Sequence, residues 1–543
     1  MKIALLQINT RLADPEANSK AIENAYLEAV RHGADLAVSP ELAVFGCIPD
    51  DKLLDPRLIR RIEAESGRLQ SVAGSVPLVF GTCKPTDAGK LWNEVWWCEK
   101  GERRVRIRKT LISGFDAYNE CRYFESEADQ QKPIEYRDEK IAFAIGENLC
   151  CSFEHLIQAG ATLVIVVAAS TCALGSYAPQ GNNPSWAMPS KQARRRYYLL
   201  RQSKACAAPI AYINSVGANG SLLFDGGSCL VTPDETRQRG EEFQDGVFIV
   251  DTKEQGTAWP EISNDDEGSW LRGALALGVK DNLVKQGIEA VVVGLSGGID
   301  SAVVAALALD AIGPEKILGV ALPTRYTSAK SVELAKLQAQ RLGVNYLQLD
   351  ADAPYVGAAS SLLCALPGRQ FGLTDENLQS RCRCMLLMAL TTETAIHQLL
   401  GTDRCVVLNT GNKSEVATGY FTLYGDAIGA FCPIGDLLKA RVYALAREFG
   451  DFIPPQVINR PPTAELRPNQ TDESSLIPYR QLDAILSALL EANRPMESMY
   501  DDLAEVLDGQ NLLEARNALP RVQSLINGSE FKRRQLPFAI RVT

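Results

Sequence analysis

Short apolar runs alternate with amphipathic stretches along the first half of the chain. The runs KIALLQI (2–8), PLVFGTC (77–83) and KIAFAIG (140–146) predict buried strands. Between the first two, NSKAIENAYLEAVRHG (18–33) has the apolar spacing of a helix, with apolar residues three and four positions apart. This alternation predicts a layered α/β sandwich for residues 1–250.

The second half of the chain has a different pattern. Its apolar runs IEAVVVGL, KILGVAL, VNYLQL and DRCVVLNTG are separated by long helical stretches. Apolar strands that alternate with helices are typical of a doubly wound parallel sheet, because crossover helices cover both of its faces. Residues 251–270 are polar, acidic and rich in turn formers, so they predict a linker to a second domain at 271–543.

Composition narrows the class of protein. The chain has 543 residues, too many for one ordinary core, and a formal net charge of −10, which argues against a nucleic-acid partner. We find no signal-peptide pattern and no apolar run long enough to cross a membrane. The 14 cysteines are scattered without zinc-ribbon spacing. We therefore expect a cytoplasmic protein with reduced thiols and no membrane partner.

The string GLSGGIDSAVVAALAL (294–309) is the sharpest chemical signal in the sequence. An apolar strand ends in Ser296-Gly297-Gly298 and a helix starts at once, so glycine backbone, serine hydroxyls and free helix N–H groups can hold phosphate oxygens. Ser301 adds a second hydroxyl, and Asp300 stands where a cation could bridge the phosphates. The alternative is an ordinary glycine-rich turn, which the full string disfavours.

This string resembles the ATP pyrophosphatase loop of N-type amidotransferases and synthetases, which adenylate a substrate and release pyrophosphate. Further strings are similar to NAD synthetase signatures and follow in that family's order: LPTRYTS (322–328), LTDENLQSRCR (373–383), the stretch 410–447, RPPTAELRPNQTDESSLIPY (460–479) and SEFKRRQ (529–535). The resemblance covers residues 270–543. It implies a doubly wound, adenine nucleotide α-hydrolase-like synthetase domain.

The resemblance also implies site residues for each ligand. Those for ATP are Ser296, Gly297, Gly298, Asp300, Ser301, Thr410, Lys439 and Thr463. Those for Mg²⁺ are Asp300 and Glu415, and those for deamido-NAD are Asn377, Arg381, Tyr420, Tyr424, Asp426 and Lys532. Carboxylate-held Mg²⁺ and a lysine would offset the charge of the triphosphate. Outside this signature, Glu415 and Lys439 would be interpreted as solvated helix charges.

Residues 1–250 resemble the nitrilase-like, carbon–nitrogen hydrolase domain, whose triad is Glu, Lys and Cys. SPELAVFG supplies Glu41, and KTLISGFDAYNECRYF supplies Lys109, with Glu120 and Arg122 at the matching offsets. In glutamine-dependent NAD synthetases this domain releases ammonia from glutamine for the other site. The alternative for Glu41 and Lys109 is a buried ion pair kept for packing.

The cysteine of that triad has no counterpart at the expected position. The string AIGENL (144–149) places Gly146 there, and a glycine cannot form the thioester that amide hydrolysis by this route requires. Cys150 and Cys151 lie four and five positions further on, so either could replace the nucleophile only with a shifted loop. The sequence therefore predicts an inactive amidase.

Four hypotheses stay open. The first is an NAD synthetase that uses free ammonia, with an inert amidase fold serving as a scaffold or as the docking site of a separate ammonia-supplying protein. The second is a glutamine-dependent NAD synthetase in which Gly146 is engineered or bypassed by Cys150 or Cys151. The third is an ATP-dependent amide ligase for another carboxylate, and the fourth is a nucleotide sensor without activity. The resemblance further implies a homo-oligomer formed through the synthetase domain.

Overall fold

The computed structural model describes residues 1–114, 119–127, 132–178, 184–258, 267–468, 470 and 476–543. The chain forms two compact units. The N-terminal unit comprises Met1–Cys172 and Lys191–Ile262, and the C-terminal unit comprises Ala173–Ser190 and Ser263–Thr543. We call Ala173–Ser190 the arm, because it belongs to the C-terminal unit although its sequence interrupts the N-terminal one. Residues 259–266 of the predicted linker lie outside the described residues.

The N-terminal unit contains β-strands and helices in mixed order. Its strands are β1 (Lys2–Gln7), β2 (Leu36–Val38), β3 (Leu78–Pro85), β4 (Leu91–Glu99), β5 (Glu102–Arg108), β6 (Ile134–Tyr136), β7 (Glu139–Ile145), β8 (Leu163–Val167), β9 (Ile210–Ile213), β10 (Val216–Asn219), β11 (Leu222–Asp225), β12 (Cys229–Val231), β13 (Thr236–Arg239), β14 (Gly246–Asp251) and β15 (Thr257–Ala258). Its α-helices are α1 (Pro15–Arg31), α2 (Pro56–Val72), α3 (Glu154–Gln158) and α4 (Lys191–Cys206).

Two sheets lie in the middle of this unit, in the order β14-β1-β2-β3-β4-β5 and β15-β13-β12-β9-β8-β7-β6. Buried residues such as Ile3, Val38, Phe143 and Ile165 form the core between the sheets. A second core packs one sheet against α1 and α2, and a third packs the other sheet against α3 and α4. These layers confirm the predicted α/β sandwich, and their order is α-β-β-α.

Local sequence explains how the first two helices begin. Both start with an Asp-Pro pair: Asp14 accepts a hydrogen bond from the Ala17 amide, and Asp55 accepts one from the Arg57 amide. A capping carboxylate followed by proline suits the first helical turn, whose amides lack backbone partners. The helices therefore have defined starts, and their apolar faces lie on the sheet.

The C-terminal unit contains four parallel strands in its described part: β16 (Ala290–Gly294), β17 (Ile317–Ala321), β18 (Asn345–Gln348) and β19 (Cys405–Val407). Its helices are α5 (Glu267–Val284), α6 (Ile299–Ile312), α7 (Ala329–Leu342), α8 (Asp352–Ala365), α9 (Leu373–Leu390), α10 (Thr394–Leu400), α11 (Lys413–Thr418), α12 (Lys439–Glu448), α13 (Pro455–Ile458), α14 (Tyr479–Leu486), α15 (Met499–Ala504), α16 (Gly509–Gly528) and α17 (Glu530–Arg533). A π-helical turn, Ser487–Glu491, follows α14.

The strand order β18-β17-β16-β19 confirms the predicted doubly wound sheet. The order reverses between β16 and β19, and a crevice opens at the carboxyl ends of the strands at such a switch point. The glycine-rich loop at 295–298 follows β16, and Thr410 follows β19. The topology therefore brings these two predicted phosphate contacts to one edge of the sheet. None of the helices in the described residues combines the length and apolarity needed to cross a membrane.

Candidate active sites

The loop after β16 is folded tightly onto the start of α6. Gly297 has a φ of +77°, and a Cβ on it would lie 2.4 Å from the backbone oxygen of Ser331, so only glycine fits there. The Ser296 amide donates to Ser301 Oγ at 3.2 Å, and Ser301 Oγ donates to the Gly298 carbonyl at 3.1 Å. The loop therefore presents hydroxyls and the first amides of α6 together, as a phosphate site requires.

Asp300 and Glu415 flank the buried Lys439. Lys439 Nζ lies 2.5 Å from Asp300 Oδ2 and 3.7 Å from Glu415 Oε1, and Asn412 Nδ2 donates to Asp300 Oδ1 at 3.1 Å. Burial alone would lower the pKa of Lys439, but the two carboxylates hold it above its ordinary value. The Lys439 side chain is therefore held in its charged form between the two carboxyl groups.

These three side chains open into a cavity of about 570 Å³ at the carboxyl edge of the sheet. The predicted site residues that line it are Ser296, Gly298, Asp300, Ser301, Asn377, Thr410, Glu415, Tyr420, Asp426, Lys439, Thr463 and Lys532. Gly297, Arg381 and Tyr424 are not among its lining residues. Arg381 is exposed and donates to the Leu423 carbonyl at 3.2 Å, and the Tyr424 side chain is also exposed.

Asp426 and Lys532 form a second polar group on the cavity wall. Asp426 Oδ1 accepts hydrogen bonds from the Thr422 amide at 2.7 Å and from Ser380 Oγ at 3.0 Å. Enclosure by protein raises the pKa of this carboxyl above its ordinary value. Lys532 Nζ donates to the carbonyls of Gly419 and Phe421, both at 2.8 Å, and burial lowers its pKa, against the opposing effect of Asp426.

Helix α9 shows which side chains the sequence missed. Its cavity-lining residues form one face, because they recur along the helix at spacings of three and four positions: Leu373, Glu376, Asn377, Ser380, Arg383, Cys384 and Leu387. The half-buried guanidinium of Arg383 donates to the Leu322 carbonyl at 3.0 Å and to Thr327 Oγ1 at 3.3 Å. Arg381 lies on another face of the same helix. Helical phase within LTDENLQSRCR would have favoured Arg383 over Arg381 as a cavity residue.

The N-terminal unit contains a separate acidic cluster around Lys109. Lys109 Nζ donates to Glu41 Oε1 at 2.8 Å and to Glu120 Oε1 at 2.6 Å, and Asn93 Nδ2 donates to Glu41 Oε1 at 2.7 Å. Burial would lower the pKa of Lys109, but the two carboxylates hold it above its ordinary value. Burial raises the pKa of Glu120 despite the neighbouring lysine.

Gly146 lies directly against this cluster, at the end of β7. A Cβ on Gly146 would lie 2.6 Å from Glu41 Oε2 and 2.6 Å from Lys109 Nζ. Its φ is +57°, in the left-handed region that glycine adopts without strain. The three residues named by sequence, Glu41, Lys109 and Gly146, therefore meet at one point.

The two neighbouring cysteines lie elsewhere. Cys150 and Cys151 are exposed, whereas the Glu41 and Lys109 side chains are buried. Cys151 lines a separate cavity of about 380 Å³ together with Thr110, Phe143 and His155, and Glu41 and Lys109 are not among the described lining residues of that cavity.

Comparisons with known proteins match each half of the chain to a protein family. The chain matches the carbon-nitrogen hydrolase family over residues 2–261 and the NAD synthase family over residues 272–536. It is 34% identical to the glutamine-dependent NAD(+) synthetase of Synechocystis sp. over 573 residues, covering 100% of this chain and 96% of that protein. It is also 34% identical to the enzyme of the same name from Xanthomonas campestris, covering 98% and 93%.

Two solved structures share the arrangement. The glutamine-dependent NAD+ synthetase of Acinetobacter baumannii in complex with ADP superposes with a TM-score of 0.75 at 29% identity, covering 98% of this chain and 94% of that one. A glutamine-dependent NAD(+) synthetase from Cytophaga hutchinsonii gives a TM-score of 0.80 at 19% identity over 100% and 95%, which shows the fold alone.

A hydrolase fold and a phosphate-loop synthetase fold in one chain define a ligase that forms carbon–nitrogen bonds. The chain belongs to the family of glutamine-dependent NAD(+) synthetases. This confirms the family and the enzyme class that the sequence predicted. The assignments of individual site residues stay predictions.

Proposed function

We propose that this chain converts deamido-NAD to NAD with ATP and free ammonia, and that its N-terminal unit is an amidase fold without a nucleophile. The observation that carries the choice of ammonia is Gly146. Its missing side chain would point directly between Glu41 and Lys109, where the family's cysteine is expected. Glycine has a hydrogen in place of the cysteine side chain and therefore no thiol to attack the amide carbon of glutamine. Glutamine would not be hydrolysed there.

The first chemical step takes place in the C-terminal cavity. A carboxylate oxygen of the nicotinate group attacks the α-phosphorus of ATP, and the bond to the bridging oxygen breaks as pyrophosphate leaves. Ser296, Ser301 and the first amides of α6 hold the phosphate oxygens, and Lys439 offsets the charge that builds up on the leaving group. Asn377 and Asp426 line the same cavity, and we assign them to orient the deamido-NAD substrate.

The second step forms the amide. Ammonia attacks the acyl carbon of the adenylate, the carbon–oxygen bond to AMP breaks, and the nitrogen gives up one proton as the amide forms. Asp426 lines the cavity and has a raised pKa, so it is the carboxylate that we assign to accept this proton. The products are NAD and AMP.

A divalent cation fits the carboxylate pair at the mouth of the phosphate loop. Asp300 and Glu415 supply the oxygen ligands that Mg²⁺ prefers, and both are partly open to the cavity. When bound there, Mg²⁺ would add positive charge beside the triphosphate.

A homo-oligomer is part of this proposal. Large apolar side chains on α8, α9 and the loop between them are exposed: Leu363, Leu366, Phe371, Leu373, Met385 and Met388. Exposed apolar clusters of this kind support protein–protein contact, and the family's synthetase domains pair with one another. A second copy of this chain is the occupant that we propose.

The decisive experiment compares nitrogen donors. The purified full-length chain is given deamido-NAD, ATP and Mg²⁺ with either ammonium or glutamine, and NAD is measured. We expect NAD with ammonium and none with glutamine. Equal rates with both donors would refute the ammonia proposal, and no NAD with either would refute the synthetase proposal.

The cysteine bypass has its own test. Cys150→Ser and Cys151→Ser are assayed for glutamine hydrolysis beside the unmodified chain. We expect no hydrolysis in any of the three proteins. Hydrolysis that disappears in one serine variant would identify that cysteine as a replacement nucleophile.

A further inference from the structure

The arm is anchored in the C-terminal unit at both of its described ends, 173–178 and 184–190. The Leu174 amide donates to the Val542 carbonyl at 2.7 Å. At the other end, the buried Trp186 donates from Nε1 to the Asp502 carbonyl at 3.0 Å, and Ser185 donates to the Glu505 carboxylate through its amide and hydroxyl. The described parts of the arm are therefore packed within this unit.

Between these anchors, the backbone of the arm contacts a buried ion-pair network. Arg441 Nη2 donates to the Gly175 carbonyl at 2.6 Å. The Tyr177 amide donates to Glu491 Oε2 at 2.8 Å, and the Tyr177 carbonyl accepts from Ser487 Oγ at 2.7 Å. The arm thus satisfies polar groups that would otherwise be buried without these partners.

Glu491 is the centre of that network. Its Oε1 lies 3.2 Å from Arg441 Nη1 and 3.0 Å from Lys413 Nζ, and all three side chains are largely buried. Burial would raise the pKa of Glu491, but Arg441 and Lys413 lower it to about 2. An ionised carboxylate therefore ties two cations from two different helices together.

Those two helices carry two of the cavity residues. Lys413 is the first residue of α11 and Glu415 is the third; Lys439 is the first residue of α12 and Arg441 is the third. Residues two positions apart on a helix point away from each other. Lys413 and Arg441 therefore face the network while Glu415 and Lys439 line the cavity.

A second contact fixes the start of α12 to α11. Ser414 Oγ accepts from the Lys439 amide at 3.0 Å and donates to the buried Asp483 at 2.6 Å. Asp483 Oδ2 also accepts from the Ala440 amide at 2.8 Å. The backbone at Lys439 is thus held by two buried side chains, those of Ser414 and Asp483.

We propose that the arm positions Glu415 and Lys439 for adenylation by holding the Glu491–Arg441–Lys413 network, which makes Gly175 and Tyr177 positioning residues of the synthetase site. This inference rests on the proposed function. It gives the N-terminal half of the sequence a role in the ligase reaction that requires no amidase chemistry.

The test displaces the arm with one methyl group. A Cβ on Gly175 would lie 2.3 Å from the backbone oxygen of Met188, so Gly175→Ala forces the arm to move. Gly256→Ala is the matched control, since its Cβ would lie 2.4 Å from the backbone carbon of Arg237 in the N-terminal unit. Ammonium-dependent NAD synthesis is measured for both full-length variants, with circular dichroism as the check on folding.

We expect Gly175→Ala to raise the KM for Mg-ATP by about tenfold, because small misplacements of catalytic groups weaken binding and rate strongly. The KM for ammonium should stay within about twofold, and Gly256→Ala should match the unmodified chain in both constants. Partial unfolding would lower kcat without changing the KM for Mg-ATP. A folded Gly175→Ala protein with an unchanged KM for Mg-ATP would overturn the proposal.

If Gly175→Ala does not fold, a milder variant tests whether the arm positions the synthetase site. Ser487→Ala removes only one hydroxyl, whose single hydrogen lies within reach of the Tyr177 carbonyl and Glu491 Oε2. We expect it to raise the KM for Mg-ATP by about threefold, in line with the loss of one buried hydrogen bond. No change in that constant would refute the role of the arm, whereas an unmodified chain that makes no NAD would instead refute the proposed function.

Discussion

Lys109 in the N-terminal unit and Lys439 in the C-terminal unit are each buried between two carboxylates, yet the two clusters differ in access to solvent. In the N-terminal unit, the Glu41 and Glu120 side chains are 5% and 1% exposed and enclose Lys109 completely. In the C-terminal unit, the Asp300 and Glu415 side chains are each 20% exposed and open into the large cavity. The same three charges are therefore sealed in one unit and available to a ligand in the other.

Access decides what such a cluster can do. In a sealed ion cluster the charged side chains pair only with one another. Removing one of them leaves the others buried without a partner of opposite charge. An open cluster can exchange its internal pairs for phosphate oxygens or a cation. We infer that the Lys109 cluster now serves mainly the fold, and that the Lys439 cluster serves the reaction.

The largest expected effect comes from removing each lysine. Lys439→Met should lower ammonium-dependent kcat by about 10³-fold, because the leaving pyrophosphate loses its fixed cation. Lys109→Met should leave that rate within about twofold but destabilise the N-terminal unit by about 3–5 kcal/mol, through two unpaired buried carboxylates. Steady-state assays and thermal unfolding of both variants measure this difference. If the two variants lost NAD synthesis equally, the distinction between the sealed and the open cluster would be wrong.

The next effect concerns the open carboxylates. Asp300→Asn should lower kcat/KM for ATP by about 10²-fold while the melting temperature stays nearly constant, because the amide is a poorer ligand for Mg²⁺ and a poorer partner for Lys439. Glu41→Gln is the matched change in the sealed cluster and should not alter NAD synthesis. Undiminished activity in Asp300→Asn would contradict the site assignment.

A third prediction concerns acid stability. The pKa of Glu491 is about 2 in the folded chain, below its ordinary value, so its contribution is present above about pH 4.5 and is lost as the pH falls toward 2. That contribution is about 3 kcal/mol. Chemical unfolding at pH 7 and pH 3 should show a steeper loss in the unmodified chain than in Glu491→Gln. Parallel losses in both proteins would argue against an ionised Glu491.

The smallest effect is expected at the glycine itself. Gly146→Ala should destabilise the N-terminal unit by about 1–2 kcal/mol, because alanine is strained at a φ of +57° and its methyl group would push Glu41 and Lys109 apart. NAD synthesis from ammonium should not change. Thermal unfolding gives the first quantity, and a loss of synthesis would show that the sealed cluster affects the reaction.

The sequence predicted those parts of the fold that depend on residues close together along the chain. The apolar runs located the strands, their alternation with helices gave the parallel sheet, and the glycine loop marked the crevice after β16. The strands, the sheet and the glycine loop depend on period and spacing, which the chain displays directly. The meeting of Gly146 with Glu41 and Lys109 was instead expected from the resemblance to the carbon–nitrogen hydrolase domain.

The rest depends on contacts between distant segments. Tyr177 and Glu491 are 314 positions apart, and no local pattern indicates that one will bond the other. Arg381 and Arg383 share one string, and the choice between them depends on which helix face meets the cavity. Such choices follow from packing, which a single sequence does not display.

The arm also bears on how this chain could be shortened. The chain changes from one unit to the other three times, after Cys172, Ser190 and Ile262. A gene cut once near residue 262 would encode a ligase fragment without residues 173–190, and Arg441 and Glu491 would lose their partners in that segment. A single deletion of the sequence before residue 262 would therefore also remove the arm from the C-terminal unit. Any minimal version would have to carry the arm along, grafted or supplied as a separate peptide.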